Sequence, residues 1–340
     1  ASDVYKRQAP TNEPGSYKVV VKVGNRTVEG PEFEYTKPEL AYTVSSDVHI
    51  GEILGGIHGL AFLPDGRLAV GQRGTAHIIH AFDLQKKEKT TLVEAHNNGH
   101  PWNLEVNPDD KMLYIAYKGS AEIGRINPNQ GNNQQVEVVV SGLSNAMDVK
   151  FDSKGNMYVL CRDERKVYKY PKGNFNNASK QTFVHLSNSL GGLYSMDFDA
   201  NDNLIIGAEN DGFYVVTSDG KATKFAGNGK GSTDGEAGQP LTAQLIQPVA
   251  IVVDKTRGDI YFTDPYNHKV RRIRPGAKGY EDATISTVAG TGTGGKQDGD
   301  GSVAQLKMPH GLAMSPDGNT LYFTDLDNYI LRKITITVKD

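Results

Sequence analysis

The chain of 340 residues contains a single cysteine, Cys161, and a single tryptophan, Trp102. A single cysteine excludes an intrachain disulfide and a cysteine zinc cluster. No apolar run reaches the ~18–20 residues that a membrane helix needs. Lysine and arginine number 37 against 40 acidic residues, and no basic block stands out, which argues against a nucleic-acid partner.

Motifs of common hydrolases are missing as well. The chain has no G-x-S-x-G nucleophile elbow and no H-E-x-x-H zinc motif. Cys161 ends an apolar segment in YVLCRDERK, where a buried structural thiol is expected. We therefore predict no catalytic residue. The opening ASDVYKRQAP has no apolar h-region and is interpreted as a leader scar or truncation point.

What the chain has in abundance is glycine, 38 residues, and an internal repeat. IYFTDPYNHKVRRI (260–273) returns as LYFTDLDNYILRKI (321–334), and four weaker copies precede this pair. Each copy reads as short strands joined by turns such as SPDG. The middle strands are separated by 45, 44, 47, 56 and 61 residues and centre on Ala69, Tyr114, Tyr158, Ile205, Tyr261 and Tyr322. About 40–50 residues make one four-stranded propeller blade.

The two longer intervals hold glycine-rich inserts, AGNGKGSTDGEAGQPLTAQLIQP (226–248) and AGTGTGGKQDGDGSVAQLKMP (289–309). With the GLA…YFTD…N…RKI pattern that follows, residues 39–340 resemble an NHL-repeat β-propeller. The resemblance implies an all-β fold of six blades around a central channel. The last copy has only three strands, so LAYTVSSDV (40–48) is expected to supply the fourth and close the ring.

Residues 1–38 form a separate unit, in which PGSYKVVVKVGNRTVEGPEFEYTK (14–37) alternates as a hairpin with a Gly-Asn turn. It resembles the last two strands of an IPT/TIG immunoglobulin-like domain. Two strands alone are marginally stable, so the hairpin either packs on the propeller or belongs to a larger domain. The TIG–NHL order resembles exported bacterial surface proteins, which implies the cell surface or periplasm and a lipid anchor absent from this chain.

Propellers bind ligands at one mouth of the channel, and the repeat alignment selects two rings of residues there. The first ring precedes the innermost strands and contains His58, Trp102, Met147, Tyr194, Val249 and His310. The second ring follows the middle strands and contains Arg73, Tyr117, Arg162, Glu209, Tyr266 and Asp327. Aromatic and imidazole groups suit the stacking of a sugar or the docking of a peptide. The alternative is that the first ring only plugs the mouth.

Metal sites are considered as alternatives. His58 and His310, with His100 as a third ligand, would hold zinc as channel histidines do in the similar peptidyl-amidating lyase. DGDGS (298–302) starts like a calcium loop but lacks the later glutamate, and an interblade turn fits better. Glu105, Asp148 and Asp197 resemble the channel acids of lactonase-like propellers, although they do not fall in one layer of the alignment. No cofactor is predicted.

These patterns favour a non-enzymatic, monomeric binding module with a glycan or a peptide at the channel mouth. A metal-dependent lyase or hydrolase and a protein–protein scaffold are the alternatives.

Overall fold

The computed structural model describes residues 15–23, 26–48, 56–73, 77–96 and 99–339. The opening ten residues and the predicted Gly24–Asn25 turn lie outside the described residues. Among those described, no helix is long and apolar enough to cross a membrane. The chain folds almost entirely into β-strands.

Six sheets follow one another along the chain, and each is an antiparallel meander. Blade 1 contains β4 (Ile57–Phe62), β5 (Leu68–Gln72), β6 (Ile79–Asp83) and β7 (Glu88–Val93). Blade 2 contains β8 (His100–Val106), β9 (Leu113–Lys118), β10 (Glu122–Ile126) and β11 (Glu137–Val140). Blade 3 contains β12 (Ala146–Phe151), β13 (Met157–Cys161), β14 (Lys166–Tyr170) and β15 (Gln181–His185).

Three further blades complete the ring. Blade 4 contains β16 (Leu193–Phe198), β17 (Leu204–Ala208), β18 (Gly212–Val216) and β19 (Ala222–Ala226). Blade 5 contains β20 (Ile251–Val253), β21 (Ile260–Asp264), β22 (Lys269–Gly276) and β23 (Gly279–Ala289). Blade 6 contains β25 (Pro309–Met314), β26 (Thr320–Asp325), β27 (Ile330–Val338), β3 (Leu40–Ser45) and the short β24 (Gly299–Asp300). Single 3₁₀ turns span Asn177–Ser179, Pro240–Thr242, Pro265–Asn267 and Leu326–Asn328.

The first strand of each blade lies innermost, and successive inner strands pack against each other until β25 meets β4. The predicted all-β six-bladed propeller is therefore confirmed. The six central positions of the repeat occupy one register, since their partners on the inner strands are Ala61, Glu105, Lys150, Asp197, Val252 and Ala313. Every residue of β5, β13, β17 and β21 is buried, because each middle strand is covered by sheets on both faces.

In the last blade the fourth strand comes from the other end of the described chain. β3 pairs antiparallel with β27, from Val338 opposite Leu40 to Lys333 opposite Ser45. Leu40 and Val44 are buried in the same apolar cluster as Ile334 of β27. This pairing covers the edge that β27 would otherwise present to solvent.

The repeated YFTD…N…RKI motif builds a buried ion pair. In blade 6, Arg332 Nη1 lies 2.8 Å from Asp325 Oδ2, and both side chains are fully buried. Arg332 also donates to Asp298 at 2.6 Å, and Asn328 donates to Asp325 at 2.8 Å. Blade 5 repeats the arrangement with Arg271, Asp264 and Asp234. The DGDGS segment thus serves as an interblade turn, and its first aspartate, Asp298, forms an ion pair with Arg332.

Ahead of the ring, β1 (Gly15–Val23) and β2 (Arg26–Tyr35) pair antiparallel, from Gly15 opposite Tyr35 to Val23 opposite Arg26. The segment that follows runs along blade 5. There Arg274 donates to the carbonyl of Pro38 at 2.8 Å, and Lys37 donates to the carbonyl of Pro275 at 3.3 Å.

Candidate ligand site at the channel mouth

The six residues of the first predicted ring come together at one end of the channel, and we name them the plug. Five of them lie in the first residues of the inner strands, and Val249 just precedes β20. Trp102, Met147, Tyr194 and Val249 share one apolar cluster. The two histidines join it through the indole, whose ring centroid lies 4.5 Å from His58 and 5.0 Å from His310. All six are buried, with Trp102 exposed by only 9%. The indole is thus the floor of the mouth, and it is not the open stacking face that a bound sugar would need.

Glycine at position 311 allows the two histidines to meet. A Cβ built on Gly311 would lie 1.7 Å from the carbonyl oxygen of His58, so no side chain fits there. The amide of Gly311 donates to Thr324 Oγ1 at 2.7 Å, which fixes the start of β25. The inner strands of blades 6 and 1 therefore approach closely and place the imidazoles of His310 and His58 in contact.

The imidazoles form a neutral pair. Their Nδ1 atoms lie 3.2 Å apart, so one ring donates a hydrogen bond and the other accepts it. Burial, with the nearby Lys118 and Arg73, lowers the pKa of His310 to about 3. Burial and the neighbouring His310 hold the pKa of His58 well below its usual range. His58 Nε2 is buried without a hydrogen-bond partner in the described part of the chain.

Above the plug stands a second layer, which we name the rim and which lies four residues beyond each central position of the repeat. Its members are Arg73, Lys118, Arg162, Glu209, Pro265 and Leu326. Three consecutive blades contribute cations, the fourth a carboxylate, and the last two apolar groups. The rim is therefore basic on one side, although the whole chain carries a formal charge of −3.

Two of the rim cations form no ion pair with the described carboxylates. Arg73 is exposed, and the ammonium of Lys118 lies 4.1 Å from the centroid of the Trp102 ring. Within the described residues neither forms an ion pair within 4 Å. Burial, followed by the charges of Arg162 and Arg73, lowers the pKa of Lys118. Lys118 is thus partly desolvated beside like charges, a state that an anionic or hydroxyl-bearing ligand would relieve.

The third cation is held more firmly. Arg162 donates through Nη2 to the Tyr194 hydroxyl at 2.8 Å and approaches Glu209 at 3.4 Å. Its other terminal nitrogen donates to Asp163 at 3.0 Å. Glu209 also accepts from the amide of Gly192 at 3.2 Å. The hydroxyl of Tyr194 is therefore occupied, and Arg162 is oriented by partners on both sides.

Several residues predicted for the second ring lie elsewhere. Tyr117 is fully buried between blades, with its ring 4.5 Å from that of His96, because it stands one position before the rim and points to the other face of β9. Lys118, the next residue, lies at the mouth in the position that was predicted for Tyr117. Tyr266 and Asp327 stand one position beyond the rim on 3₁₀ turns, and Tyr266 is 57% exposed.

The histidines that the structure describes do not assemble a zinc site. His100 Nδ1 lies 3.1 Å from His77 Nδ1, so it forms a second pair and does not become a third ligand for His58 and His310. No group of three His, Cys, Asp or Glu side chains within the described part of the chain could hold a metal ion. The residues present therefore do not fit the zinc site of the amidating lyase. Burial raises the pKa of Cys161 to about 12, as expected for a structural thiol.

Further down the channel one of the predicted acids, Glu105, forms an ion pair with Lys150. Lys150 Nζ lies 2.5 Å from Glu105 Oε2, and the two residues share a register layer with Asp197. Asp148 pairs with Leu160 in another layer and accepts from the Ser195 hydroxyl at 2.9 Å. Burial raises the pKa of Asp148 to about 7. Glu105 and Asp148 therefore have partners within the protein and lie in different layers of the channel.

Comparisons with known proteins agree with the architecture. No family model matches the sequence. The chain is 26% identical over 245 residues to Suppressor of quenching 1, chloroplastic, of Arabidopsis thaliana, a match that covers 69% of this chain and 19% of that protein. It is 29% identical over 103 residues to human NHL repeat-containing protein 2, covering 30% of this chain and 14% of that protein. The chain spans a fifth or less of the length of these relatives.

The chain is an NHL-repeat-like six-bladed β-propeller.

Solved structures place this propeller beside several others. A Bacteroides thetaiotaomicron protein of unknown function matches with a TM-score of 0.71 at 19% identity, covering 97% of this chain and 84% of that one. An auxiliary nutrient binding protein of the same species matches with a TM-score of 0.68 at 17% identity, covering 95% and 83%. A streptogramin B lyase matches with a TM-score of 0.62 at 15% identity, covering 87% and 98%. At these identities the likeness is one of fold.

Proposed function

We propose that this propeller is a non-enzymatic binding module, which holds a glycan or a peptide at the channel mouth. The observation that supports the proposal is the pair of rim cations, Arg73 and Lys118. They stand on adjacent blades beside a closed aromatic floor and have no ion-pair partner within the described residues. Opposite charges or hydroxyl oxygens of a ligand would supply partners that the described residues do not.

The plug makes the mouth a rigid platform. Its side chains are buried and in mutual contact, so ligand binding would not require the floor to rearrange. Arg162 is already oriented by Tyr194 and Glu209, which reduces the entropy lost when it contacts a ligand. His58 and His310 are neutral at pH 7, so the positive charge of the mouth comes from the rim alone.

The fold neighbours support the same direction without deciding it, because auxiliary nutrient binding proteins of two Bacteroides species share the architecture. We further propose that the β1–β2 hairpin is the end of an IPT/TIG domain and that the seam at β3 closes the ring in the natural protein. Export to the cell surface or periplasm, with an anchor outside this chain, and a monomeric state belong to this proposal.

The alternative hypothesis of a lyase is based on the buried histidine pair and on the fold match to the streptogramin B lyase. It requires a metal, for which His58 and His310 supply two ligands. A scaffold that docks only partner proteins is the other alternative, and it requires no ligand at the mouth.

The test is a glycan and peptide array probed with the wild-type protein and with R73A/K118A. The matched control is K230A/K296A, which removes two exposed lysines from the glycine-rich inserts. We expect array binding that R73A/K118A loses and K230A/K296A keeps. Metal content is measured beside it, before and after a chelator. Stoichiometric zinc would favour the lyase, and binding unchanged by R73A/K118A would contradict the mouth as the site.

A further inference from the structure

We propose a second binding site, a basic groove between blades 4 and 5 that accepts the acidic groups of a negatively charged oligosaccharide. The groove encloses about 1050 Å³, at the upper end of the usual range for small-molecule sites. The proposal does not depend on the function assigned to the channel mouth, because the two sites share no residue.

The groove lies on the opposite face of the ring from the plug. Its walls include the turns that leave the inner strands, 199–203 after β16 and 254–258 after β20. The turn between β22 and β23 and residue Lys37 complete it. The plug residues lie at the beginning of the inner strands, whereas these turns follow the strands, so most of the strand length separates the two sites.

Positive charge dominates the lining. Five cations face two carboxylates, and the residues are Lys37, Lys224, Lys255, Arg257, Lys278, Asp199 and Glu281. Lys224 and Arg257 are paired with Asp211 and Asp254. Lys255 and Lys278 are exposed and form no ion pair within the described part of the chain. The field of Lys255 reaches Glu105, whose charge Lys150 already balances.

Of the two carboxylates, Asp199 repels a bound anion only weakly, because hydrogen bonds within the fold partly compensate its negative charge. It is buried and accepts hydrogen bonds from the Tyr280 hydroxyl at 2.9 Å and from the Asn203 side chain at 3.0 Å. The carboxylate of Asp199 therefore interacts with groups of the fold and holds the hydroxyl of Tyr280 in place. Glu281 is exposed at the outer end.

The fixed tyrosine supplies an aromatic wall. The ring of Tyr280 packs 4.6 Å from that of Phe225, at 39° between planes, so it is held from behind and by its hydroxyl. A rigid aromatic ring beside free ammonium groups and the exposed Asn201 suits a sugar, whose apolar face stacks while its carboxylates or sulfates meet the lysines. We therefore assign the groove to an acidic oligosaccharide.

The experiment measures binding by isothermal titration calorimetry to four probes. Oligogalacturonate carries carboxylates, dextran sulfate carries sulfate esters, dextran is neutral, and poly-glutamate is an acidic peptide. The groove variants are K255A/K278A and Tyr280→Ala. The controls are K230A/K296A, which loses the same charge elsewhere, and R73A/K118A at the mouth. Thermal unfolding establishes that each variant is folded.

We expect an acidic oligosaccharide to bind with an affinity that K255A/K278A lowers by at least about tenfold. Tyr280→Ala should also weaken it, while K230A/K296A stays within about twofold of the wild type. Which of the two acidic sugars binds decides between carboxylate and sulfate. Equal losses in K255A/K278A and K230A/K296A would overturn the proposal in favour of non-specific charge. Tighter binding of poly-glutamate would overturn the oligosaccharide assignment, and a loss confined to R73A/K118A would return all binding to the mouth.

Discussion

Acidification is expected to destabilise the propeller through the two imidazoles of the plug. Burial lowers the pKa of His310 to about 3 and that of His58 well below its usual range, whereas the unfolded chain titrates histidine near 6.5. Above pH 6.5 both states are neutral, and the stability contribution is complete. Below pH 6.5 the unfolded chain takes up protons that the plug refuses, so stability falls until the pH reaches the folded pKa.

The size of the effect follows from the linkage relation. One pKa unit corresponds to about 1.4 kcal/mol, so each refused proton lowers the free energy of unfolding by that amount per pH unit. At pH 4.5, two units below the unfolded value, the imidazole of His310 costs about 3 kcal/mol, and His58 adds to the loss in the same direction. These are upper values, because protein relaxation around a charged imidazole reduces the cost.

Other groups contribute to the same profile. Burial lowers the pKa of His80 to about 4, which adds loss in the same direction. Asp148, with a pKa raised to about 7, acts in the opposite sense, since it stabilises the fold at low pH and loses that contribution as the pH rises toward 7. The contribution of the two plug histidines to the pH dependence of stability is therefore obtained by comparing the wild type with a variant that lacks them.

The assay is urea unfolding between pH 7.5 and pH 4.5 of the wild type and H58N/H310N. Asparagine places an amide near each Nδ1 and does not titrate, so its packing loss is independent of pH. We expect the stability advantage of the wild type to shrink by at least about 1.4 kcal/mol per pH unit below pH 6.5, the slope that His310 alone gives. His185→Asn, at an exposed histidine, is the matched control. Parallel profiles for wild type and H58N/H310N would refute the reasoning.

Three further substitutions test the framework, each by urea unfolding at neutral pH. Arg332→Ala should cost about 3–5 kcal/mol, since it leaves the buried Asp325 unpaired, and a loss under about 1 kcal/mol would contradict the ion pair. Trp102→Ala should cost about 3–5 kcal/mol through the cavity it opens, and unchanged stability would show that the indole is not packed. Thr43→Pro removes a backbone donor from β3, opposite Thr335, and should cost at least about 1–3 kcal/mol; no effect would contradict the seam.

The ring of six blades and the plug could be predicted from the sequence because both depend only on where each repeat begins. A residue counted from a strand start falls at the same height in every blade, and so His58, Trp102 and His310 were placed together correctly. The rim depends on the face of the strand as well. The repeat pattern predicts Tyr117 at the binding surface. Successive residues of a strand face opposite sides of the sheet, so Tyr117 points into the core and Lys118 points to the mouth.

The groove could not be predicted in this way. Its lining joins Lys37, the turn after β16, the turn after β20 and the strand β23, segments separated by up to 244 residues. None of them carries a motif, and each lysine alone resembles an ordinary solvated charge. Only the packing of blade 4 against blade 5 shows that the lysines face one cavity while their carboxylate neighbours are already paired.

The interior of the channel explains why both proposed sites lie on its faces. The plug closes one end with packed rings, and further down Lys150 neutralises Glu105 and shares its layer with Asp197. A ligand inside the channel would have to displace buried aromatics at one end, which costs several kcal/mol, or compete deeper in with the half-buried ion pair of Lys150 and Glu105. The unpaired charges, Arg73 and Lys118 at the mouth and Lys255 at the groove, all stand outside that sealed interior, and it is there that a ligand adds partners without removing any.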